Sequence, residues 1–275
     1  MQDRIISFIG CGNMGLSLIG GLIADGHPAE NLRAMDKEPA QLDRLHRLFP
    51  VRGTDRLEEA VAEADVVVLA VKPQGLKALC LELAPLLPGP GPLILSVAAG
   101  IPTGALQRWL GEERAVVRAM PNTPALVGSG ASALYATAQV SEEQRILAEN
   151  ILRAVGLVIW LEEEEQMDAV TALSGSGPAY LFLVIEAMEA AGRELGLEPQ
   201  QARLLSLQTA YGAAKMALES ELDPATLRQQ VTSPGGTTER ALEVLESGGL
   251  RSLFLNALTA ARDRSRELAQ TLGSE

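Results

Sequence analysis

The sequence predicts an α/β chain, with a doubly wound, mainly parallel sheet in its N-terminal part and an all-helical C-terminal part. Three observations carry that expectation. Short β-rich runs alternate with helical patterns through the first half of the chain, the signature of strands joined by crossover helices. Runs such as Val66-Val67-Val68-Leu69-Ala70-Val71 show no polar alternation, as strands covered on both faces require. Beyond Glu162-Glu163-Glu164-Glu165, β-branched runs become rare and Ala, Leu, Glu and Arg recur at helical spacing.

Taken in order, strands are expected at 5–9, 32–35, 66–71, 93–97 and 115–118, with two more at 131–135 and 157–161 flanking a helix near 142–155. A helical pattern at 16–24 follows the first strand, and others run over 180–195 and 201–218. The acidic run reads as a solvated boundary loop. It divides a domain at 1–163 from one at 164–275.

The 275 residues are 47% hydrophobic and 21% charged, a globular rather than a disordered balance. A formal charge of −12 argues against a nucleic-acid backbone as partner, which would need clustered Lys and Arg. Cys11 and Cys80 are too few for a disulfide framework or a structural zinc, and His27 and His46 fall in or near expected surface turns, so no metal is expected. Neither a signal peptide nor a run of 18 apolar residues is found, so the chain reads as cytoplasmic, with no membrane partner.

Gly10-Cys11-Gly12-Asn13-Met14-Gly15 lies directly between the first strand and a helical pattern. In this setting the first glycine makes a tight turn, the second lets backbone approach a pyrophosphate, and the third lets helix and strand pack closely. The unpaired amides of the helix start then receive the phosphate charge. This context makes the N-terminal part a Rossmann-type dinucleotide-binding domain. Asp36-Lys37 ends the second strand. An acidic residue there accepts hydrogen bonds from an adenosine ribose and repels a 2′-phosphate, while the lysine beside it attracts one. The two signals conflict, which leaves both NADH and NADPH open.

Ala70-Val71-Lys72-Pro73-Gln74 and Ser96-Val97-Ala98 end later strands, where ligands of open α/β sheets sit. In the helical part, Ser233-Pro234-Gly235-Gly236-Thr237-Thr238 precedes a helical pattern at 239–245. Its glycines and helix-start amides suit a substrate carboxylate, though an ordinary capped turn has the same composition. Ser174-Gly175-Ser176-Gly177-Pro178 lacks nucleophile-elbow spacing and reads as a close-packing helix start.

Several segments together resemble the pyrroline-5-carboxylate reductase family. The carriers are the glycine motif, Ala70 to Gln74, Arg118-Ala119-Met120-Pro121-Asn122-Thr123-Pro124-Ala125, the stretch from Asp168 to Tyr180, and Val231 to Thr238. The resemblance implies a Rossmann domain followed by a helical dimerisation domain, with homodimers commonly assembled into rings, often decamers. It implies reduction of 1-pyrroline-5-carboxylate to L-proline, the last step of proline biosynthesis, usually by NADPH. By position, it puts Asn13 and Met14 at the pyrophosphate, Lys37 at the adenosine ribose or its phosphate, and Val71 with Lys72 at the sugar–phosphate region. Ala98, Asn122 and Gln230 come near the cofactor, and Glu164, Gly236, Thr237 and Thr238 meet the substrate. Many relatives carry serine or arginine where this chain has Asp36-Lys37, and often asparagine near the position of Leu57.

Hydride arriving at a C=N carbon needs orientation and electrostatics more than an acid–base pair, since the imine takes its proton from solvent. Thr238 is the candidate catalytic residue, hydrogen-bonding the ring nitrogen as its charge changes; Ser233 joins the substrate set. A β-hydroxyacid dehydrogenase would share this plan but needs a helix-borne catalytic lysine, and Lys215 is the only lysine after Lys77. A non-catalytic dinucleotide-binding protein would keep the glycine motif without the loop at 233–238.

Overall fold

The structure, a computed structural model, describes residues 2–87, 89 and 91–274. It divides into two units, one running up to Ser176 and resuming at Ala261, the other Gly177–Ala260.

In the first unit the strands are β1 (Ile6–Ile9), β2 (Leu32–Met35), β3 (Arg52–Thr54), β4 (Val66–Leu69), β5 (Leu93–Ser96), β6 (Val116–Met120), β7 (Gly130–Ala136) and β8 (Gly156–Trp160). Among the described residues they form one eight-stranded sheet in the order β3-β2-β1-β4-β5-β6-β7-β8. Pairs from β3 through to β6 are parallel, β7 runs antiparallel to β6, and β8 is parallel to β7. Strand order reverses between β1 and β4, the switch point outside which open sheets of this kind bind ligands.

The seven expected strands are all found, with no end shifted by more than two residues. β3 was not expected. Its Arg-Gly-Thr sequence has no apolar run, and as a three-residue edge strand it is held by pairing with β2 rather than by burial.

The helices of this unit are α1 (Asn13–Ala24), α2 (Pro39–Leu48), α3 (Leu57–Val61), α4 (Pro73–Leu83), α5 (Thr103–Leu110), α6 (Glu142–Arg153) and α7 (Gln166–Val170), followed by a π-helical turn at Thr171–Gly175. They cover both faces of the sheet, which explains the unalternating strands. On β4, Val66 and Val68 pack with α1 and α6, whereas Val67 and Leu69 pack with α3, α4 and α5. Each such side chain removed from water contributes roughly 1.5–3 kcal/mol.

The Gly177–Ala260 unit holds α8 (Gly177–Glu194), α9 (Pro199–Glu219), α10 (Pro224–Gln230), α11 (Thr237–Ser247) and the start of α12 (Leu250–Ser274). Asp223 caps α10, accepting from Ala225 N–H at 2.9 Å and Thr226 N–H at 3.1 Å. Bonds to Thr226, side chain and backbone, hold its carboxyl below the ordinary aspartate range. Much of this unit's apolar surface lies open, including Leu181, Phe182 and Leu183 on α8 and Leu253 and Leu255 on α12. Gln166–Glu194 is, among the described residues, the one helical stretch long and apolar enough to cross a membrane by length and composition.

The first unit reaches past the boundary expected at Glu163. Met167 is fully buried, Asp168 accepts Ser265 Oγ–H at 2.7 Å, and Arg108 donates to Gly273 O at 2.5 Å. These bonds hold 164–176 and the C-terminal segment to the sheet domain. His27, expected in or near a surface turn, is buried, and desolvation lowers its pKa. His46 lies within α2.

Arg114 is a buried cation held by carbonyls, donating to Leu87 O at 2.8 Å, Gly89 O at 2.8 Å and Leu110 O at 3.2 Å. Arg114→Met should lower stability by about 2–3 kcal/mol, because three carbonyls lose a charged donor; the urea midpoint measures it.

Candidate active site

The turn between β1 and α1 is built by three glycines with three different reasons. Gly10 has φ +107°, and a Cβ there would sit 2.5 Å from Ala70 O. A Cβ on Gly15 would stand 2.2 Å from Gly10 O. Neither position admits a side chain, since the chain itself fills the space. Gly12 differs: its φ is −70° and a Cβ would meet nothing within 4 Å. Nothing in the chain fills the space a side chain would take there, which leaves it open. It lies at the N-cap of α1, where the first intrahelical bond is Leu16 N–H to Gly12 O at 2.9 Å. The amides of Asn13, Met14 and Gly15 precede that bond and carry the positive end of the helix dipole. A pyrophosphate fits such a cradle.

Beside it, a cavity of about 370 Å³ is lined by Gly10, Asp36, Lys37, Val71, Lys72 and Glu82, among others. Five residues singled out from sequence thus meet in one place. Asp36 is anchored by Cys11 N–H at 2.8 Å and Glu38 N–H at 2.9 Å. Lys37 Nζ lies 3.0 Å from Glu82. Lys72 is the N-cap of α4 and Pro73 its first residue, with Ala70 bonded through its N–H to Ile9 O at 2.8 Å. Burial and the Asp36 charge push the Cys11 thiol up to about 12, so it stays protonated.

Sequence reasoning missed two residues here. Arg44 on α2 donates to Asn13 Oδ1 at 2.9 Å, which brings a guanidinium to the start of α1. Glu82 faces Lys37 across 45 residues of chain. Neither belongs to a motif; only α2 and α4 folding onto the sheet could reveal them.

Other expected residues are engaged within the chain. Ala98 is buried in the core, and its N–H lies 3.4 Å from Ser96 Oγ, which accepts it. Asn122 accepts from Ala131 N–H at 2.9 Å and donates to Ser174 O and Oγ at 3.2 Å each. Gly175 packs against the end of the Met120 side chain, where a Cβ would stand 2.4 Å from Cε.

The acidic run is not uniformly solvated. Glu162, Glu163 and Glu165 are exposed, but Glu164 accepts from Thr103 N–H at 2.8 Å, Thr103 Oγ at 2.6 Å and Arg118 Nη1 at 2.9 Å. Arg118 is buried, and Thr103 is the first residue of α5, so the carboxylate meets a cation and a helix N-terminus together.

In the helical unit, Gly235 (φ +70°) and Gly236 lead into α11, with Gly236 N–H bonded to Ser233 O at 3.0 Å. Gly236 is the N-cap and no side chain caps the helix. Thr237 and Thr238 occupy its first two positions, Ser233 is exposed, and Gln230 ends α10. Gly235 N–H already donates to the Glu239 carboxylate at 2.6 Å, so amides of this loop do receive a carboxylate. Lys215 lies on α9, 3.7 Å from Glu219 and half-exposed. Among the described residues no group of three or more His, Cys, Asp or Glu is arranged to hold a metal.

Comparison with known proteins matches residues 164–268 to the family model "Pyrroline-5-carboxylate reductase dimerisation". Residues 5–100 match the model "NADP oxidoreductase coenzyme F420-dependent". The chain is 55% identical to a pyrroline-5-carboxylate reductase of Pseudomonas aeruginosa, across 99% of this chain and 100% of the relative. It is similar to a Coxiella burnetii pyrroline-5-carboxylate reductase structure, with a TM-score of 0.93, 48% identity, and coverage of 97% and 98% of the two chains. A Plasmodium falciparum pyrroline carboxylate reductase, solved with NADP bound, gives a TM-score of 0.85 and 30% identity over 98% and 99%.

Gly12→Ala should stay within ~1 kcal/mol of the unaltered protein in urea unfolding, as an N-cap exchange does. It should nevertheless weaken dinucleotide binding at least about tenfold, by filling the approach path. Gly15→Ala, which meets the Gly10 carbonyl, should instead lower stability by about 1–3 kcal/mol.

Proposed function

The chain belongs to the pyrroline-5-carboxylate reductase family, and from that premise we propose how its residues reduce 1-pyrroline-5-carboxylate to L-proline, the last step of proline biosynthesis. The observation that carries the reading is the unfilled space at Gly12, next to the free amides of α1. When bound, NAD(P)H would supply hydride to the carbon of a protonated C=N bond, leaving a neutral ring amine and NAD(P)+.

The chain's own residues bind and orient. Gly10, Gly12 and Gly15 shape the loop, while the amides of Asn13 and Met14 take the pyrophosphate. Asp36 and Lys37 face the adenosine ribose. Ala70, Val71, Lys72 and Pro73, at the carboxyl end of β4, meet the sugar–phosphate region. Ala98 contributes backbone, and Asn122 and Gln230 complete the cofactor set. Residues 1–163 serve the dinucleotide and the region from 164 onward serves substrate and dimerisation, with 164–176 and the segment from Ala261 built into the first unit.

Ser233, Gly236, Thr237 and Thr238 take the substrate carboxylate and ring. The carboxylate of Glu239 on a loop amide supports that assignment. The Thr238 hydroxyl holds the ring nitrogen as its charge is lost, and solvent provides the proton beforehand. Glu164, with its carboxylate held by Thr103 and Arg118, serves the substrate side by fixing the loop at 162–165. No metal takes part.

The protein self-associates through its helical unit, as the dimerisation model matched at 164–268 supports. Its open apolar surface, the stretch Gln166–Glu194 included, faces a second copy rather than lipid, and dimers build a ring such as a decamer in the cytoplasm. Light scattering on the purified protein should give a multiple of the dimer mass; a monomer would refute this.

Absorbance at the nicotinamide band, with pyrroline-5-carboxylate and NADH or NADPH, tests the reaction. Oxidation of at least one is expected, and oxidation of neither rules the activity out. Thr238→Ala should cut kcat by about 10- to 100-fold, as loss of one hydrogen bond to a charged group does. Dinucleotide affinity should be spared; unchanged kcat would remove Thr238 from the mechanism.

A further inference from the structure

We propose that the dinucleotide pocket is built for a free adenosine 2′-hydroxyl and selects NADH over NADPH, with Asp36 as the specificity-determining residue. The inference rests on the reading of Gly10–Gly15 as a dinucleotide loop and decides what the residues Asp36-Lys37 leave open in sequence.

Asp36 directly follows β2, and its carboxylate is pinned from both sides. Oδ2 accepts from Cys11 N–H at 2.8 Å, and Oδ1 accepts from Glu38 N–H at 2.9 Å. Main-chain donors hold the carboxylate in place, so its charge does not swing away from a ligand as a free side chain would. Each oxygen keeps acceptor capacity beyond those bonds. That capacity suits a hydroxyl, which donates. A phosphate oxygen is itself an acceptor and carries negative charge, so it meets repulsion at the same place.

The cations nearby do not offset this. Lys37 Nζ is bonded to Glu82 at 3.0 and 3.3 Å, and both residues line the same cavity as Asp36. The pair is exposed and individually weak, so a phosphate could draw Lys37 across. Doing so would leave Glu82 unpaired on the cavity wall, with the same total charge present. Among the described lining residues, Asp36 and Glu82 balance Lys37 and Lys72, leaving no net positive charge for a group bearing up to two negative ones. Arg44 does not line this cavity, and its Nη1 donates to Asn13 Oδ1 at the start of α1.

The test separates binding from turnover. ADP-ribose and its 2′-phosphorylated form are titrated calorimetrically into the full chain, and NADH and NADPH are titrated by fluorescence. The unphosphorylated member of each pair should bind at least about tenfold tighter, a ratio equal to about 1.4 kcal/mol, and the ratio should shrink as salt rises. Asp36→Ser and Asp36→Asn should narrow or reverse it through tighter binding of the 2′-phosphate. Glu82→Gln, which leaves both Asp36 anchors intact, should move it the same way by a smaller factor. Equal or tighter binding of the 2′-phosphorylated forms to the unaltered protein would overturn the inference while leaving the reductase reading intact. A ratio unmoved in all three variants would overturn the role of Asp36. Binding of neither form would overturn the dinucleotide reading itself and this inference with it.

Discussion

The backbone contact among Gly10, Gly15 and Ala70 is the constraint on which the first unit depends. Gly10 abuts the carbonyl at the end of β4, and Gly15 abuts the carbonyl of Gly10, so strand, turn and helix are locked at one point of the sheet. That lock lies where strand order reverses. It brings the start of α1, the end of β2 and the end of β4 to one crevice, and the free amides of α1 are the consequence. Everything assigned to cofactor recognition hangs from it. Glycine at position 12 is then the one of the three that packing within the chain does not require.

A second, polar lock holds the far part of the same unit. Glu164 joins α5 to β6 through Thr103 and Arg118, and Asn122 ties the loop after β6 to β7 and to the π-turn. Breaking one partner of a buried ion pair typically costs about 3–5 kcal/mol, because the other charge is left uncompensated. Arg118 Nη1 and the Asn122 side chain are therefore engaged in positioning within the fold, while Arg118 Nη2 is buried without a partner.

The helical unit is organised the opposite way. Asp223 caps α10 and Gln201 accepts from Glu198 N–H at the start of α9, whereas α11 has no side-chain cap, and few of the unit's side chains are buried. Local propensity makes the helices, and a single copy leaves their apolar rows uncovered. A unit of this kind completes its core only against another surface, in keeping with the dimerisation family it matches.

Much of this was legible in one dimension. The unalternating run at 66–69, the glycine spacing at 10–15 and the switch to helical texture after Glu165 are local patterns, and each rests on short-range sterics or on two-sided burial. β3 escaped because three residues paired at a sheet edge leave no hydrophobic trace. Glu164 and its acidic neighbours look alike in sequence, and only the approach of Thr103 and Arg118 sets it apart. Likewise the conflict between Asp36 and Lys37 could not be resolved from adjacent letters. The chain by itself determined the fold class, the family resemblance and the place of the glycine turn, since those leave patterns of spacing and composition readable along a short stretch of sequence. Tertiary structure alone decided which charges are free and which are spent, because ion pairs such as Lys37–Glu82 and Arg118–Glu164 form across distances that local pattern does not encode.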